Sequence, residues 1–369
     1  MNTLPRVFPH RAAAIYNRCS MMTRVRSHAK INLGLAIGPA RRDGYHALAT
    51  IYQTLAIHDV VEVTASRLAD GAASQIVITC NDARVPCDDR NTCWKMVDIA
   101  LQRLEVSARV AIHIEKKLPV RGGLGAGSAN AAAALIGLEK ELGIALSGGD
   151  RLAIAAETGS DVPLFLIGGT VLGVGRGEEV YPLPDLPQTS CVIAVPDVGI
   201  STPQAFEDWD RLQAAPDPDS RLSPEISRHK LTIDPASDRL KQLGRMWAAA
   251  LAAPQELHAN ATGVFQAKDR ARNLLLELVR TGIENDFETV VFTQYPSLCD
   301  ILDTLKNGSQ AAGPAIYAAL SGSGSALFGL YETAAESCAV LKRLVAQGIP
   351  AYETTTVSRD LYWRDIFDA

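Results

Sequence analysis

Apolar and polar positions alternate along the first part of the chain as they do in β-strands. Residues 110–115 follow the two-residue period of a half-buried strand. Runs rich in β-branched residues, bounded by turn residues, predict further strands at 25–37, 59–64 and 75–79. This half of the chain therefore has the pattern of an α+β fold with mainly antiparallel strands.

Helical spacing replaces this alternation in two segments. Residues 91–104 place apolar side chains three and four positions apart, and residues 128–142 form an Ala-rich run directly after a glycine loop. Both segments are predicted to be helices. The elements predicted further along are a strand at 170–174, a helical segment at 285–306 interrupted at Pro296, and a strand, glycine turn and strand at 318–331.

Length and composition predict the domain organisation. The chain has 369 residues, of which 47% are apolar and 21% charged, as in a globular protein of about two domains. We predict a disordered extension at 1–22, a first domain at 23–175 and a second at 176–369, with an insertion at about 210–262. The Arg-rich extension also has the composition of an organelle transit peptide or of a chain read from too early a start codon.

Charge and cysteine usage exclude several classes of protein. The formal net charge is −5, and no basic stripe with interleaved aromatics is present, which argues against nucleic-acid binding. The 7 cysteines are widely spread and form no C-x-x-C pair, which favours reduced thiols over disulfides or a zinc site. No apolar run approaches the roughly 18 residues of a membrane span. We therefore expect a cytoplasmic protein without nucleic-acid or membrane partners, whose oligomeric state the sequence leaves open.

A glycine-rich loop at 118–134, with the sequence LPVRGGLGAGSANAAAA, is the strongest chemical signal. It follows a predicted strand and opens a predicted helix, where backbone N–H groups and the helix macrodipole favour an anion. A tight turn that needs glycine for packing explains the glycines equally well. The loop is not a Walker A motif, because no Lys follows Gly127, and the G-x-G-x-x-G/A fingerprint fails at Ser128.

Four further segments carry a family resemblance. Residues 29–32 (AKIN) and 42–46 (RDGYH) resemble the family of 4-diphosphocytidyl-2-C-methylerythritol kinases. The glycine loop, residues 159–163 (GSDVP) and residues 321–325 (SGSGS) resemble the three motifs of the GHMP kinase superfamily. That superfamily also includes galactokinase, homoserine kinase, mevalonate kinase and phosphomevalonate kinase. Ala129 departs from the resembling family, which commonly has a second Ser there, so one hydroxyl contact to phosphate is lost.

The resemblance implies a two-domain GHMP kinase fold. Its N-terminal nucleotide-binding domain is similar to ribosomal protein S5, its C-terminal domain is an α/β sandwich, and the active site lies in the cleft between them. The implied activity is phosphorylation of the 2-hydroxyl of 4-diphosphocytidyl-2-C-methylerythritol by ATP with Mg²⁺, in the non-mevalonate isoprenoid pathway. No acidic cluster predicts a metal ligand set. The alternatives are a kinase of another alcohol, such as homoserine or a mevalonate derivative, and a non-catalytic nucleotide-binding protein on the same fold.

Two residues are predicted to be catalytic. By resemblance, Asp161 is the carboxylate that accepts the substrate hydroxyl proton, and a plain helix N-cap before Pro163 is the alternative interpretation. Lys30 lies in an apolar strand, where an unpaired ammonium is costly, so it is expected to face Asp161 or the transferred phosphoryl group. There it would lower the cost of a developing alkoxide. A Lys whose ammonium extends to solvent from an edge strand is the alternative.

The remaining candidates would bind the two substrates. Asn32 is two residues from Lys30 and so shares its strand face. The resemblance implies that Tyr45 and His46 grip a cytosine base; Phe206 is either a second stacking face or a core residue. The predicted substrate-binding residues are Asn32, Tyr45, His46, Phe206, Ser321 and Gly322, the last two in a loop that a hairpin turn would also explain. The predicted nucleotide-binding residues are Pro119, Gly122, Gly123, Leu124, Gly125, Ala126, Gly127 and Ser128, with Asn91 and Lys116 as weaker candidates.

Overall fold

The computed structural model describes residues 22–69, 71–120, 122–214, 284–308 and 313–368. The predicted extension, except for Met22, and the predicted insertion from residue 215 onward lie outside the described residues. The strands are β1 (Thr23–Ala40), β2 (His46–Arg67), β3 (Gln75–Cys80), β4 (Ala108–Glu115), β5 (Thr170–Val174), β6 (Glu179–Pro182), β7 (Ser190–Ala194), β8 (Tyr317–Leu320), β9 (Leu327–Tyr331) and β10 (Ala351–Thr355). The helices are α1 (Thr92–Arg103), α2 (Ala126–Leu142), α3 (Gly148–Thr158), α4 (Thr202–Ala214), α5 (Phe287–Gln294), α6 (Ser297–Asn307), α7 (Ala334–Ala346) and α8 (Arg359–Arg364), and a 3₁₀ turn covers Pro163–Leu166.

The first sheet is organised around the long strand β2. One edge of β2 pairs with β1, and the other edge pairs with β4 towards its end and with β5 near its start. Strand β3 then joins β4 and β6 joins β5, giving the order β3-β4-β2-β5-β6. All pairs are antiparallel except β3 with β4. The predicted antiparallel α+β character is confirmed, although the sequence pattern predicted only the second half of β2.

The second sheet packs against one face of the first. It is antiparallel in the order β10-β7-β9-β8. Ile31 and Leu33 of β1 share one buried cluster with Ile193 of β7 and Phe328 of β9. Because side chains alternate along a strand, Lys30 and its neighbour two residues on lie on the opposite face of β1.

Helices cover the remaining faces of the two sheets. Helices α1 and α2 pack on the first sheet, where Met96 and Leu135 share a cluster with Val61 and Ile112. Helices α4 to α7 contribute to a third cluster with the outer face of the second sheet. The predicted helices at 91–104 and 128–142 are confirmed as α1 and α2, and the predicted helical segment at 285–306 divides at Pro296 into α5 and α6. Within the described ranges, no helix is both long and apolar enough to span a bilayer.

The end of the chain returns to the first sheet. Tyr362 and Ile366 are buried in the same cluster as α1 and α2. The backbone N–H of Arg26 donates to the carbonyl of Ile366 at 2.8 Å. The division at residue 175 stays a prediction, and the described residues beyond it contribute β6 and α8 to the first layer as well as the whole second sheet.

His28 of β1 is buried beneath this returning segment. Its ring centroid lies 5.0 Å from that of Tyr362, and its Nδ1 lies 2.8 Å from the carbonyl oxygen of Leu55. Its Nε2 is buried without a partner among the described residues. Burial lowers the pKa of His28 from 6.5 to about 4, so the folded protein holds a neutral imidazole.

We predict that His28 makes the folded protein less stable as the pH is lowered. The unfolded chain takes up a proton near pH 6.5 and the folded chain only near pH 4, so acidification favours unfolding across that window. The full effect of a shift of this size is about 3 kcal/mol. His28→Asn keeps a donor for Leu55 but cannot be protonated, so urea unfolding at several pH values should show a shallower decline than in the wild type. His113→Asn on β4 is the control, and equal slopes for wild type and His28→Asn would contradict the assignment.

Candidate active site

Lys30 and Asp161 form an ion pair at the edge of the first sheet. Nζ of Lys30 lies 3.4 Å from Oδ2 of Asp161. The Lys30 side chain is 4% exposed, whereas that of Asp161 is 31% exposed. A buried ammonium requires a counter-charge, and Asp161 supplies it while keeping part of its own surface open to solvent.

The Asp161 carboxylate is not a helix cap. The 3₁₀ turn after it begins at Pro163 with Val162 at the N-cap position, and no side chain caps it. The sequence predicted a helix N-terminus here, and the structure has only this short turn. The carboxylate instead accepts a hydrogen bond from the hydroxyl of Tyr52 on β2, at 3.0 Å.

Tyr52 is a site residue that the sequence analysis missed. Burial, together with the charge of Asp161 and the hydrogen bond to it, raises the pKa of Tyr52 well above its ordinary value, so the phenol stays protonated. Tyr52 pairs with Asn32 in the register of β1 and β2. That cross-strand pairing places it on the same face as Lys30, but nothing in the local sequence distinguishes it from an ordinary core tyrosine.

A chain of hydrogen bonds fixes Lys30 from its other side. Nζ of Lys30 donates to Oδ1 of Asn32 at 2.7 Å, and Nδ2 of Asn32 donates to Oγ1 of Thr50 at 2.7 Å. The Thr50 hydroxyl in turn donates to the carbonyl of Gly34 at 2.8 Å. Each side chain in this chain donates to the next group, and the Lys30 ammonium is held in one place.

The glycine loop packs against the turn at residues 321–325, the late turn, which begins with Ser321. Gly123 has φ +80°, and a Cβ atom there would overlap the carbonyl oxygen of Ser321. The Ser321 hydroxyl donates to the carbonyl of Gly123 at 3.1 Å, and the N–H of Ala326 donates to the carbonyl of Gly122 at 3.1 Å. Two predicted motifs far apart in sequence are therefore in direct contact.

Asn285, which the sequence analysis also missed, holds the same turn. Its Nδ2 donates to the carbonyls of Leu320, at 3.0 Å, and Gly322, at 2.7 Å. A Cβ atom at Gly322 would lie 3.6 Å from Nζ of Lys30 and 3.3 Å from Oδ1 of Asn32. Gly322 therefore borders the Lys30 site, whereas Ser321 is buried with its hydroxyl engaged by the glycine loop.

A cavity of about 390 Å³ lies along the glycine loop. Helix α2 begins beside it, with Gly125 at the N-cap position in the left-handed region and no side chain capping the helix. The first backbone bond at this end runs from the N–H of Ala129 to the carbonyl of Gly125, so the preceding N–H groups have no helical partner. The cavity is lined by Arg84, Val85, Pro86, Arg90, Asn91, Thr92, Ile114, Lys116, Pro119, Val120, Gly123, Leu124, Gly125, Ala126, Gly127, Ser128 and Asn130.

These features fit a nucleotide polyphosphate. The cavity volume is in the range of small-molecule sites, and uncapped N–H groups at a helix N-terminus attract phosphate. Gly122 is the one predicted nucleotide-binding residue that does not line the cavity. Among the described residues, no three His, Cys, Asp or Glu side chains are grouped to hold a metal ion.

The two weaker nucleotide candidates line the cavity but have structural partners. Oδ1 of Asn91 accepts the N–H of Cys93 and caps α1. Nζ of Lys116 donates to Oδ2 of the fully buried Asp59 at 2.7 Å, in a pair shielded from solvent. Removing Lys116 would therefore leave a buried carboxylate without a counter-charge, whatever its contact with a ligand.

Tyr45, His46 and Phe206, which the sequence analysis assigned to the cytosine, make contacts with other side chains, and their role in binding a base stays a prediction. His46 stacks on Phe206, with ring centroids 4.9 Å apart and an interplanar angle of 9°, and its Nε2 lies 2.8 Å from Oδ1 of Asp210. Tyr45 is exposed, and its ring contacts the guanidinium of Arg176 at 5.0 Å. Among the described residues, no ring contact joins Tyr45 to Phe206.

Comparisons with known proteins agree with this geometry. A family model described as the GHMP kinases N terminal domain matches residues 91–169, and one described as GHMP kinases C terminal matches residues 267–349. A 4-diphosphocytidyl-2-C-methyl-D-erythritol kinase of Solibacter usitatus (strain Ellin6076) is 31% identical over 344 residues, which are 92% of this chain and 91% of that relative. The chain belongs to the 4-diphosphocytidyl-2-C-methyl-D-erythritol kinase family.

Solved structures show that the fold is shared more widely than this family. A crystal structure of a 4-(cytidine 5'-diphospho)-2C-methyl-D-erythritol kinase superposes with a TM-score of 0.61 at 23% identity, covering 90% of this chain and 98% of that one. A homoserine kinase from Cytophaga hutchinsonii superposes with a TM-score of 0.64 at 19% identity, covering 94% and 98%. The GHMP kinase fold is confirmed, and the fold alone does not select the alcohol.

We predict that Gly123→Ala weakens ATP binding and destabilises the protein. The new Cβ would push the glycine loop away from the Ser321 turn, in addition to the strain of a positive φ. ATP affinity measured by titration calorimetry should fall roughly tenfold or more. Gly348→Ala is the matched control, because Gly348 has φ +75° and nothing within 4 Å of a Cβ atom. If the two variants lost equal ATP affinity and equal stability, backbone strain and not contact with Ser321 would be the cause of both losses.

Proposed function

We propose that this chain phosphorylates the 2-hydroxyl of 4-diphosphocytidyl-2-C-methyl-D-erythritol at the expense of ATP, in the non-mevalonate route to isoprenoid precursors. The observation that carries the proposal is the Lys30–Asp161 pair, bordered on one side by the glycine loop and on the other by Gly322. Family membership supports the choice of substrate.

Asp161 is the proposed general base. Phosphoryl transfer needs a carboxylate near the attacking hydroxyl, and the partly exposed side chain of Asp161 meets this need. Lys30 stabilises the developing negative charge on the attacking oxygen and holds Asp161 in place. Because Nζ of Lys30 also donates to Asn32, the ammonium keeps its position as the charge develops.

The cavity along the glycine loop is the proposed ATP site. The residues that would hold the phosphates are Gly123, Gly125, Gly127 and Ser128, and the cavity extends to Pro119, Leu124, Ala126, Asn91 and Lys116. When bound, ATP supplies the transferred phosphoryl group, and Mg²⁺ neutralises phosphate charge. Gly125 lies against both the cavity and Lys30, since a Cβ atom there would be 2.9 Å from Cγ of Lys30. This contact supports the proposal that a phosphoryl group bound in the cavity lies near Lys30 and the base, Asp161.

The alcohol substrate is proposed to bind between the late turn and the 42–46 segment. Asn32 and Gly322 border Lys30. Tyr45, His46 and Phe206 are the residues proposed to recognise the cytosine, and His46 stacks on Phe206. The exposed ring of Tyr45 offers a stacking surface. We further propose a cytoplasmic enzyme whose ligands are small molecules rather than nucleic acid or membrane.

The test is ADP release by the purified protein with ATP and Mg²⁺, using four alcohols in parallel. Turnover of 4-diphosphocytidyl-2-C-methyl-D-erythritol, with none of homoserine, mevalonate or phosphomevalonate, is the expected result. Turnover of one of the other three would keep the kinase chemistry and reject the proposed substrate. ATP binding without turnover of any of them would favour a non-catalytic binding protein.

We predict that Asp161→Asn lowers kcat by two or more orders of magnitude, because the amide cannot accept the hydroxyl proton. ATP affinity should change little, since Asp161 does not line the nucleotide cavity. Steady-state kinetics and ATP titration separate the two effects. Asp150→Asn neutralises an exposed carboxylate at the start of α3 and is the control. A turnover near that of the wild type for Asp161→Asn would mean that another group is the base.

A further inference from the structure

Tyr52 contacts the proposed base from the first sheet. Its hydroxyl donates to Oδ1 of Asp161, and Nζ of Lys30 lies beside Oδ2, so the two carboxylate oxygens have different partners. Tyr52 and Lys30 lie on paired strands, whereas Asp161 lies in a turn outside any strand or helix. The two contacts therefore tie a turn residue to a rigid sheet.

The β5–β6 hairpin is shaped around the Tyr52 side chain. A Cβ atom at Gly173 would lie 2.5 Å from Cε2 of Tyr52, and one at Gly177 would lie 2.5 Å from its hydroxyl oxygen. Gly177 also has φ +102°, which a side chain rarely adopts. The ring is 2% exposed, so both the ring and the hydroxyl have a fixed location.

The hydroxyl acts only as a donor to this carboxylate. Burial of Tyr52 and its closeness to the charge of Asp161 raise the pKa of the phenol well above its ordinary value. An ionised Tyr52 would place two negative charges in contact inside the protein. Tyr52 therefore does not compete with Asp161 for the substrate proton at neutral pH.

Contacts on both oxygens restrict a carboxylate to one orientation. The terminal torsion of an Asp side chain has broad, roughly two-fold preferences, so a partner on one oxygen alone leaves the group free to tilt. Lys30 holds one oxygen, and the phenol holds the other. Pre-orientation of this kind lowers the barrier to proton transfer without changing how tightly the substrate binds.

We propose that Tyr52 is a positioning residue for phosphoryl transfer: its hydroxyl fixes the orientation of the Asp161 carboxylate before the alcohol binds. The inference rests on the proposed role of Asp161 as the base. It extends that role to a residue that is only 2% exposed and does not line the cavity along the glycine loop. Only the hydroxyl is needed to orient the carboxylate, since the ring would remain packed against the β5–β6 hairpin without it.

The test is Tyr52→Phe, which removes one oxygen and keeps the ring. We expect kcat to fall between about 10-fold and 100-fold, with KM for ATP and for the alcohol each within about twofold of the wild type. Unchanged kcat, or a rise in the alcohol KM with kcat preserved, would overturn the proposal.

Tyr331→Phe is the matched control. The Tyr331 hydroxyl is also buried, donates to the carbonyl of Leu305 at 2.8 Å and lies against a glycine, since a Cβ atom at Gly329 would be 2.5 Å from it. It belongs to the second sheet and makes no contact with the Lys30 site. Both variants should lose a similar amount of stability, but only Tyr52→Phe should lose turnover. Equal loss of kcat in the two would show general loosening and reject the positioning role.

Failure of the proposed role of Tyr52 can be distinguished from failure of the proposed function. If the wild type phosphorylates a different alcohol of the panel, the Tyr52→Phe comparison is made with that alcohol, and it tests Tyr52 although the substrate proposal has failed. If no alcohol is phosphorylated, urea midpoints of Tyr52→Phe, Asp161→Ala and the double variant measure the coupling directly. Non-additive midpoint shifts support the contact that the proposal requires, and additive shifts reject the proposal.

Discussion

The ammonium of Lys30 is the group on which the site depends. It lies on β1, on the face of the first sheet that points away from the second sheet, and its side chain is only 4% exposed. An uncompensated charge buried there would cost several kcal/mol. Asp161 supplies the counter-charge and Asn32 accepts a hydrogen bond from the ammonium, and each is in turn held by a second residue, Tyr52 or Thr50. The polar network is thus a consequence of burying one charge, and the same network holds the proposed base and the cation in fixed positions.

The fold brings the glycine loop and the late turn to this charge from two sides. The Lys30 N–H donates to the carbonyl of Leu124, which attaches the glycine loop to β1 directly. The late turn is attached to the same loop through Ser321 and to the chain before α5 through Asn285. Loops positioned by sheets in this way can be both close to a ligand and well ordered. A change at Gly123 would therefore disturb both the glycine loop and the late turn.

The sequence predicts the features of this arrangement that follow from the periodic pattern of strands and helices. Strand and helix periods identified most elements, and the shared face of Lys30 and Asn32 follows from their spacing alone. Tyr52 could not be predicted in this way, because its partner lies 109 positions further along the chain. Nor could the engagement of Lys116 with Asp59, which depends on how β2 and the end of β4 pack together. Local pattern fixes which face a side chain occupies, whereas its partner depends on the tertiary fold.

In the region proposed for the cytosine, too, the partners of the side chains depend on the tertiary fold. An aromatic ring has two faces, and His46 covers one face of Phe206 while Phe287 meets its ring at an angle of 73°. A base could then reach Phe206 only on its remaining face or by displacing His46, which Asp210 holds. The Tyr45 ring is less covered: it is exposed, and among the described aromatic and cationic groups only the guanidinium of Arg176 lies over it. A base can therefore stack on the face of Tyr45 that Arg176 leaves open without displacing another ring, so on the proposed function Tyr45 is the more accessible of the two stacking surfaces.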